Sequence, residues 1–308
     1  MAQLTELILP CLDAAQARTV IEVGAYAGDL TRVLVRWAAQ SGARIVAVDP
    51  APQPGLEELA AAHPELELVR RRSLEALSEL APADAVVIDG DHNHFTVSGE
   101  LRAIAAAAED ELPLLLFHDV GWPHGRRDDY FDPEQIPAGS RHPLAGDQGG
   151  LTPGEAGLTR GGLPYPRSAA REGGPRNGVL TAIEDFVSGR DHLRLAVVPV
   201  FFGLGVAWDT RRSYAGALAE LLEPFDRHPV LERLEANRLT HLARAYRRQT
   251  EIWELERRLA RQRAVLDRLL SSSAVAVAER LSRLRARAGI ATEQPIVSKA
   301  EIRRALEE

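Results

Sequence analysis

The alternation of short apolar runs with amphipathic stretches over the first two thirds of the chain constrains the fold more than any other feature. Short runs rich in Val and Ile are typical of strands buried on both faces of a parallel sheet. The apolar runs are Thr19–Val23, Arg44–Val48, Glu67–Val69, Ala85–Ile88 and Leu114–Phe117, and the helix-like stretches are Asp29–Gln40, Gly55–Ala62, Leu74–Leu80 and Thr96–Ala108. This alternation predicts an α/β fold with a doubly wound, mostly parallel Rossmann-like sheet.

The apolar periodicity stops between residues 121 and 178, where Gly, Pro, Arg and Asp are dense. A long stretch of this kind in a compact domain is usually functional or disordered, and we interpret it as a lid over a bound small molecule. Arg126, Arg127 and Arg176 would then bind a phosphate or carboxylate group of that molecule. The alternative is that the adjacent Asp128 and Asp129 only neutralise these arginines on a solvated surface.

Regular patterns resume after the loop with a helix at Val179–Ser188 and two apolar runs at Leu193–Val200 and Gly203–Trp208. The two runs are expected to form an antiparallel pair at the edge of the sheet. Pro199 limits their ladder, because proline has no backbone N–H to donate.

Everything after Arg212 is helical in pattern and highly charged. Apolar residues at steps of three, four and seven form one seam: Ile252, Leu255, Leu259, Leu266 and Leu269. The seam fits a coiled coil that joins two copies into a homodimer, and it fits equally a long helix lying on its own domain. The predicted organisation is a main domain at 1–210 that includes the 121–178 insertion, long helices at 211–271, and a helical tail at 272–308 after a break at Ser271–Ser273.

Composition excludes several classes of protein. The net charge of −7 argues against a nucleic-acid partner, since such proteins present a basic surface. Cys11 is the only cysteine, so neither an internal disulfide nor a cysteine zinc site can form. The sequence has no apolar run of eighteen residues and no basic secretory leader in its first twenty, so we expect a cytoplasmic protein without a membrane partner.

The first candidate site is the stretch Thr-Val-Ile-Glu-Val-Gly-Ala-Tyr-Ala-Gly at residues 19–28. A strand runs here into a turn bounded by Gly24 and Gly28, where the backbone can approach a ligand and the following helix offers free N–H groups. The dinucleotide fingerprint G-x-G-x-x-G is not matched, because Tyr26 occupies the position of its second glycine. Glu22 would repel a pyrophosphate and attract a ligand that carries a cationic amino group.

Asp49 ends the second predicted strand, 21 residues beyond Gly28. An acid at this position holds ribose hydroxyls in open α/β sheets, although a strand-ending Asp is also a common turn former. Together with the first motif, Asp49 predicts a nucleoside site.

Polar side chains also follow the fourth and fifth predicted strands. Asp89 ends the fourth, and the pair His118-Asp119 ends the fifth. Since the carboxyl ends of parallel strands meet at one edge, these groups can gather around a divalent cation, for which carboxylates favour Mg²⁺, Mn²⁺ or Ca²⁺.

The turn after the fourth strand offers groups that could remove a proton. Asp91, His92 and His94 are the candidates. The plainer interpretation is that Asp91 or Asn93 caps the following helix.

Three of these stretches carry a resemblance to a known family: Val20–Gly28, Val46–Pro50 and Val86–His92. The chain resembles, over roughly residues 15–120, the class I S-adenosylmethionine-dependent methyltransferases, and within them the metal-dependent O-methyltransferases of natural-product and sugar tailoring. The third stretch is also similar to cephalosporin-hydroxylase-like proteins.

The resemblance implies S-adenosylmethionine and a divalent cation, Mg²⁺ or Mn²⁺, as cofactors. It assigns cofactor binding to Glu22, Gly24, Tyr26, Gly28, Asp49, Ser73 and Asp89, catalysis to Asp91, His92 and His118, and metal binding to Asp89, His118 and Asp119. Glu22 and the glycines would hold the methionine part, Asp49 the ribose, and Ser73 would lie beside the adenine.

One departure from the family pattern affects the metal. Sugar methyltransferases of this branch end the corresponding strand with two acids, whereas this chain has His118-Asp119. Imidazole suits Mn²⁺, Fe²⁺ or Zn²⁺ better than Mg²⁺, so either His118 is not a ligand or the metal is not magnesium.

The activity that the resemblance implies is methyl transfer to a hydroxyl of a small molecule or sugar. The alternatives are a hydroxylase-like protein and a non-catalytic assembly protein that retains the cofactor fold.

Overall fold

The computed structural model describes residues 1–108, 111–289, 300, 301 and 304. The contacts within the chain define two compact units, Met1–Arg244 and Ala245–Glu308. The strands are β1 (Thr19–Val23), β2 (Arg44–Val48), β3 (Leu66–Val69), β4 (Ala85–Ile88), β5 (Leu114–His118), β6 (Leu193–Val198) and β7 (Leu204–Asp209). The helices are α1 (Thr5–Ala14), α2 (Thr31–Ser41), α3 (Pro54–Ala62), α4 (Ser73–Ala76), α5 (His94–Ala107), α6 (Val179–Val187), α7 (Ala215–Leu222), α8 (Pro229–Ser271) and α9 (Ser273–Arg287).

The seven strands form one sheet in the order β3-β2-β1-β4-β5-β7-β6. Neighbours from β3 to β5 are parallel, while β7 is antiparallel to both β5 and β6. The predicted doubly wound sheet with an antiparallel edge pair is therefore confirmed. β6 ends at Val198, directly before Pro199, as the missing N–H of proline requires.

Both faces of the sheet are covered, which explains why the strands are apolar without alternation. Val20 of β1 packs in one hydrophobic cluster with Ile8 of α1 and Leu34 of α2. Ile21, the next residue, packs on the opposite face in a second cluster with Leu101 of α5. The chain leaves β1 toward β2 on one side and reaches β4 on the other, so the loops after β1 and β4 diverge around a crevice at the carboxyl edge.

Residues 121–178 are packed rather than open. Arg127 and Tyr130 are among the largest fully buried side chains. Arg127 donates hydrogen bonds to the carbonyl oxygens of Ala169 (2.6 Å) and Ala156 (2.9 Å), and Arg126 pairs with Glu184 at 2.6 Å. The expectation that Arg127 binds an anionic ligand is wrong, because its guanidinium is buried against backbone carbonyls.

Asp128 does not neutralise the arginines either. Its Oδ1 accepts hydrogen bonds from the backbone N–H groups of His94 (2.8 Å) and Gly178 (2.7 Å), and its Oδ2 accepts one from the Tyr130 hydroxyl (2.8 Å). This buried carboxylate ties the segment to the start of α5 and to the start of α6.

The first compact unit extends beyond residue 210, the predicted end of the main domain, because α7 and the beginning of α8 belong to it. Leu218 and Leu222 of α7 are buried in the first hydrophobic cluster, and Leu239 of α8 is also buried. Contacts therefore divide the chain after Arg244, inside α8.

In the second unit, the predicted break lies where α8 ends at Ser271. The Ser272 side chain then caps α9 by accepting from the Ala274 N–H at 3.1 Å. The apolar residues Ile252, Leu255, Leu259 and Leu269 of the predicted seam are exposed. Much of the predicted tail after Gly289 lies outside the described residues. Among the described residues, none of the helices has the length and apolar composition needed to cross a membrane.

Candidate active site

A cavity of about 810 Å³ opens at the carboxyl edge of the sheet, between the loops that follow β1, β2 and β4. The sequence-predicted residues that line it are Glu22, Gly24, Tyr26, Asp49, Ser73, Asp89 and Asp91. Part of its wall comes from Phe131, Asp132, Gln135 and Ile136 of the 121–178 segment. Gly28 is not among the lining residues; its N–H bonds to the Ala25 carbonyl at 2.7 Å and closes the turn before α2.

Gly24 is required where the loops after β1 and β4 touch. Its φ is +83°, and a Cβ at this position would lie 2.2 Å from the carbonyl oxygen of Asp89. Only glycine combines this backbone conformation with so close an approach. The contact brings Glu22 and Asp89 to the same cavity.

Glu22 is buried, with 3% of its surface exposed, and its Oε2 has no hydrogen-bond partner. Burial raises the pKa of this carboxyl to about 8, and the negative charges of Asp89 and Asp49 act in the same direction. A cationic group entering the cavity would restore the ionised form. The structure therefore places an acid that lacks a partner where the sequence predicts an amino group to bind.

Asp49 connects the loops after β1 and β2 at the opening of the cavity. Its two carboxylate oxygens accept hydrogen bonds from the N–H groups of Tyr26 and Ala51, each at 2.7 Å. Tyr26 has a φ of +44°, and its ring is largely exposed beside the opening. Since a carboxylate offers about four acceptor sites, Asp49 retains capacity for a ligand hydroxyl.

A cluster of titratable groups adjoins the cavity at Asp89. His118 Nδ1 lies 3.1 Å from both Asp89 Oδ1 and Asp119 Oδ2. The other ring nitrogen, Nε2, is 2.9 Å from the Phe201 carbonyl and donates to it. Glu235 fixes this turn between β6 and β7 by accepting from the N–H groups of Phe201 and Phe202. With Nε2 oriented by the Phe201 carbonyl, Nδ1 is the ring nitrogen of His118 that could bind a cation after losing its proton.

The groups of this cluster shift one another's pKa values. Burial would raise the pKa of Asp89 and Asp119, but hydrogen bonds and charge from His118 and His92 outweigh it and lower both. Burial would likewise lower the pKa of the histidines, but the two carboxylates raise it to about 9 for His118 and about 10 for His92. The carboxylates therefore hold protons on the imidazoles that a cation would displace.

Within the described part of the chain, three-residue groups able to ligate a metal occur at two places. The first is Asp89, His118 and Asp119, the set predicted from sequence. The second is His92, His124 and Asp129. No role was predicted from the sequence for His124, and Asp129 was considered only as a surface charge beside the arginines.

His92 lies between these two groups. Its Nε2 is 3.2 Å from Asp119 Oδ2 and 3.6 Å from Asp89 Oδ1, and its ring stacks on that of His124 with centroids 5.0 Å apart. Burial, followed by the charge on His92, lowers the pKa of His124 to about 4. Neither His92 nor His118 is among the residues lining the cavity.

The turn that contains Asp91 has a structural role as well. Asp91 accepts from the Phe131 N–H (2.9 Å) and from the Thr96 hydroxyl (2.8 Å), and so joins the 121–178 segment to α5. Asn93 caps α5 by accepting from the Thr96 N–H at 2.9 Å, as the plainer interpretation predicts.

Glu100 is a buried acid that sequence reasoning missed. Neither of its carboxylate oxygens has a hydrogen-bond partner, and burial raises its pKa to about 8. Its signal in the sequence is its position on the apolar face of α5, three residues after Val97 and four before Ile104, both of which are buried.

A family model described as "Methyltransferase domain" matches residues 21–120. The resemblance to class I methyltransferases is thereby confirmed over residues 21–120. No curated protein matches the sequence.

Several solved structures are similar to this chain at low identity. They include the SAH-bound methyltransferase PaMTH1 of Podospora anserina (15% identity, covering 66% of this chain and 76% of that chain, TM-score 0.40). The O-methyltransferase TomG of Streptomyces achromogenes, involved in tomaymycin synthesis and solved with SAM, has 16% identity, 67% and 79% coverage and a TM-score of 0.41. A 1,6-didemethyltoxoflavin-N1-methyltransferase of Burkholderia thailandensis has 16% identity, 68% and 77% coverage and a TM-score of 0.39. Since these likenesses are loose, the strand order is the stronger indication of the fold.

Proposed function

We propose that this protein transfers a methyl group from S-adenosylmethionine to a hydroxyl oxygen of a small molecule or sugar, with the help of a divalent cation. The observation that carries the proposal is that Asp89 belongs to two adjoining sites. It lines the cavity of about 810 Å³, and it is one of three residues, with His118 and Asp119, that could ligate a cation. A methyl donor in the cavity and an acceptor oxygen at the cation would then meet at this residue.

The donor is supported by the chemistry of the cavity. S-adenosylmethionine carries an ammonium and a sulfonium, and Glu22 is a buried acid without a partner for its Oε2. Asp49 has acceptor capacity left for the ribose, and Ser73 lies at the position that the family resemblance assigns to the adenine. Glu22 lies near the end of β1, Asp49 follows β2, and Ser73 begins α4 after β3, so one extended nucleoside could contact all three.

The side chains of the cluster fit a divalent cation. Asp89 and Asp119 supply carboxylate oxygens, and the Phe201 carbonyl fixes the His118 tautomer so that Nδ1 faces them. Because an imidazole belongs to the set, Mn²⁺ fits it better than Mg²⁺. When bound, such a cation would orient the acceptor hydroxyl and lower its pKa.

Side chains of the protein would align the reactants, accept the hydroxyl proton and close over the site. Methyl transfer is an in-line displacement, so holding the acceptor oxygen, methyl carbon and sulfur in line supplies most of the acceleration. We propose Asp91 as the group that accepts the hydroxyl proton, since it lines the cavity while His92 and His118 do not. Phe131, whose N–H binds Asp91, brings the 121–178 segment over this point as a lid.

The test compares Asp89→Asn with the wild type in two assays. Calorimetry with S-adenosylmethionine should show binding by both proteins, whereas methyl transfer to a panel of sugars and phenols should be lost in Asp89→Asn. Asp185→Asn is the matched control, because Asp185 is an exposed partner of His94 outside both groups. If a chelator left the wild-type rate unchanged, the role of the cation would be wrong; if the product gained an oxygen rather than a methyl group, the hydroxylase alternative would be right.

A further inference from the structure

A second group of ligating side chains lies next to the proposed cation site. His92, His124 and Asp129 each contribute one nitrogen or oxygen atom, and these atoms lie within 4.8 Å of one another. They come from the loop before α5 and from the 121–178 segment, so the group spans two parts of the fold that are distant in sequence.

Two nitrogen atoms of this group are buried without a hydrogen bond. They are His124 Nδ1 and His92 Nε2, although His92 Nε2 lies 3.2 Å from Asp119 Oδ2 and interacts with that carboxylate by charge. His124 is only 5% exposed. A buried polar atom without a partner destabilises the fold, and a cation bound at His124 Nδ1 in the plane of the ring would supply that partner.

The three side chains are already held in place. The Ser168 hydroxyl donates to Asp129 Oδ1 at 2.7 Å, which leaves Oδ2 for another partner, and the Asp129 N–H donates to the His92 carbonyl at 2.9 Å. The His124 ring meets the edge of Tyr165 with centroids 5.3 Å apart. Partners of this kind, which orient a ligand from behind, accompany most metal sites.

We propose that His92, His124 and Asp129 form a second cation site, beside the one formed by Asp89, His118 and Asp119. Two imidazoles and a carboxylate suit Zn²⁺ and similar transition-metal ions. The ion would tie the 121–178 segment to the loop before α5. The inference extends the cation site of the proposed function, but it rests on its own residues.

The experiment counts Zn²⁺ ions on the full chain. Chelator-stripped protein is dialysed against Zn²⁺, and bound zinc is measured by mass spectrometry for the wild type, His124→Ala, Asp129→Asn and Asp89→Asn. We expect two ions per wild-type chain and one for each variant. His63→Ala is the matched control and should retain two, since His63 pairs with Glu65 outside both groups. Circular dichroism checks that each variant is folded.

The proposal is overturned if the wild type binds one ion that Asp89→Asn abolishes, or if folded His124→Ala and Asp129→Asn still bind two. Loss of both ions from either folded variant also overturns it, because the two sites would then be one. If either variant does not fold, crystals of the wild type are grown with Zn²⁺ and diffraction data are collected at the zinc absorption edge. Two separate peaks in the anomalous difference map support the proposal, and a single peak overturns it. A chain that binds two ions but no S-adenosylmethionine would refute the proposed function and leave this inference standing.

Discussion

If the cavity binds S-adenosylmethionine as proposed, the buried acid Glu22 should make that binding depend on pH. Its pKa of about 8 means that only about one Glu22 side chain in eleven is ionised at pH 7 and about one in a hundred at pH 6. An ammonium group binds the ionised form, so binding must remove the proton. The affinity should therefore rise about nine-fold from pH 6 to pH 7, and at pH 7 about 0.9 proton should leave for each molecule bound.

Calorimetry measures both quantities. The dissociation constant is determined at pH 6 and pH 7, and the titration at pH 7 is repeated in two buffers that differ in ionisation enthalpy, which reports the proton count. Glu22→Gln should bind more weakly and lose the pH dependence and the proton release, because the amide does not titrate. Glu57→Gln is the control, since Glu57 is a surface carboxyl paired with Arg70, and it should behave like the wild type.

Two results would refute the reasoning about Glu22. One is a wild-type affinity that does not change between pH 6 and pH 7. The other is an unchanged proton release in Glu22→Gln, which would assign the titration to another group, with Glu100 the first candidate because its pKa is also raised to about 8.

Three further perturbations test the site and the fold. Gly24→Ala should abolish cofactor binding and lower the melting temperature, because its Cβ would lie 2.2 Å from the Asp89 carbonyl at a φ of +83°. Glu235→Ala should weaken Mn²⁺ binding about tenfold, measured by calorimetry, since the turn that orients His118 loses the acceptor of two N–H groups. Truncation after Arg244 should leave the melting temperature within a few degrees of the full chain, since the first compact unit ends there. If α8 joins two copies in a coiled coil, sedimentation should show a dimer for the full chain and a monomer for the truncated chain.

One result would contradict each of these three expectations. Normal cofactor binding by Gly24→Ala would mean that the two loops can separate without loss of the cavity. Unchanged Mn²⁺ affinity in Glu235→Ala would mean that the turn between β6 and β7 does not orient His118 for cation binding. A full-length chain that sediments as a monomer would contradict the association through α8.

The strands were predictable because their sequences are apolar without alternation. β1, β2 and β4 begin and end at the predicted residues, since a strand buried on both faces leaves a continuous apolar run bounded by polar residues. Helix boundaries differ by a residue or more from the prediction, and α1 was not predicted from the sequence.

The 121–178 segment could not be predicted because its order comes from buried polar groups. Arg127 and Asp128 bond to atoms 42 and 50 residues away in the sequence, and such partners leave no periodic trace. An arginine beside an aspartate looks like a solvated surface in sequence, whereas here each has a separate set of buried partners.

The candidate site was predictable to the extent that it follows strand ends. Asp49, Asp89 and His118 were located because parallel strands bring their carboxyl ends to one edge. Asp129 belongs to no strand, and only the packing of the 121–178 segment brings it beside His92.

The central claim is that the cavity between the loops after β1, β2 and β4 holds S-adenosylmethionine. A crystal structure of the protein grown with S-adenosylhomocysteine tests it most directly. We expect the amino group of the ligand within hydrogen-bond distance of Glu22 and its ribose hydroxyls at Asp49. A nucleoside bound elsewhere on the chain, or a cavity that stays empty at millimolar ligand, would contradict it.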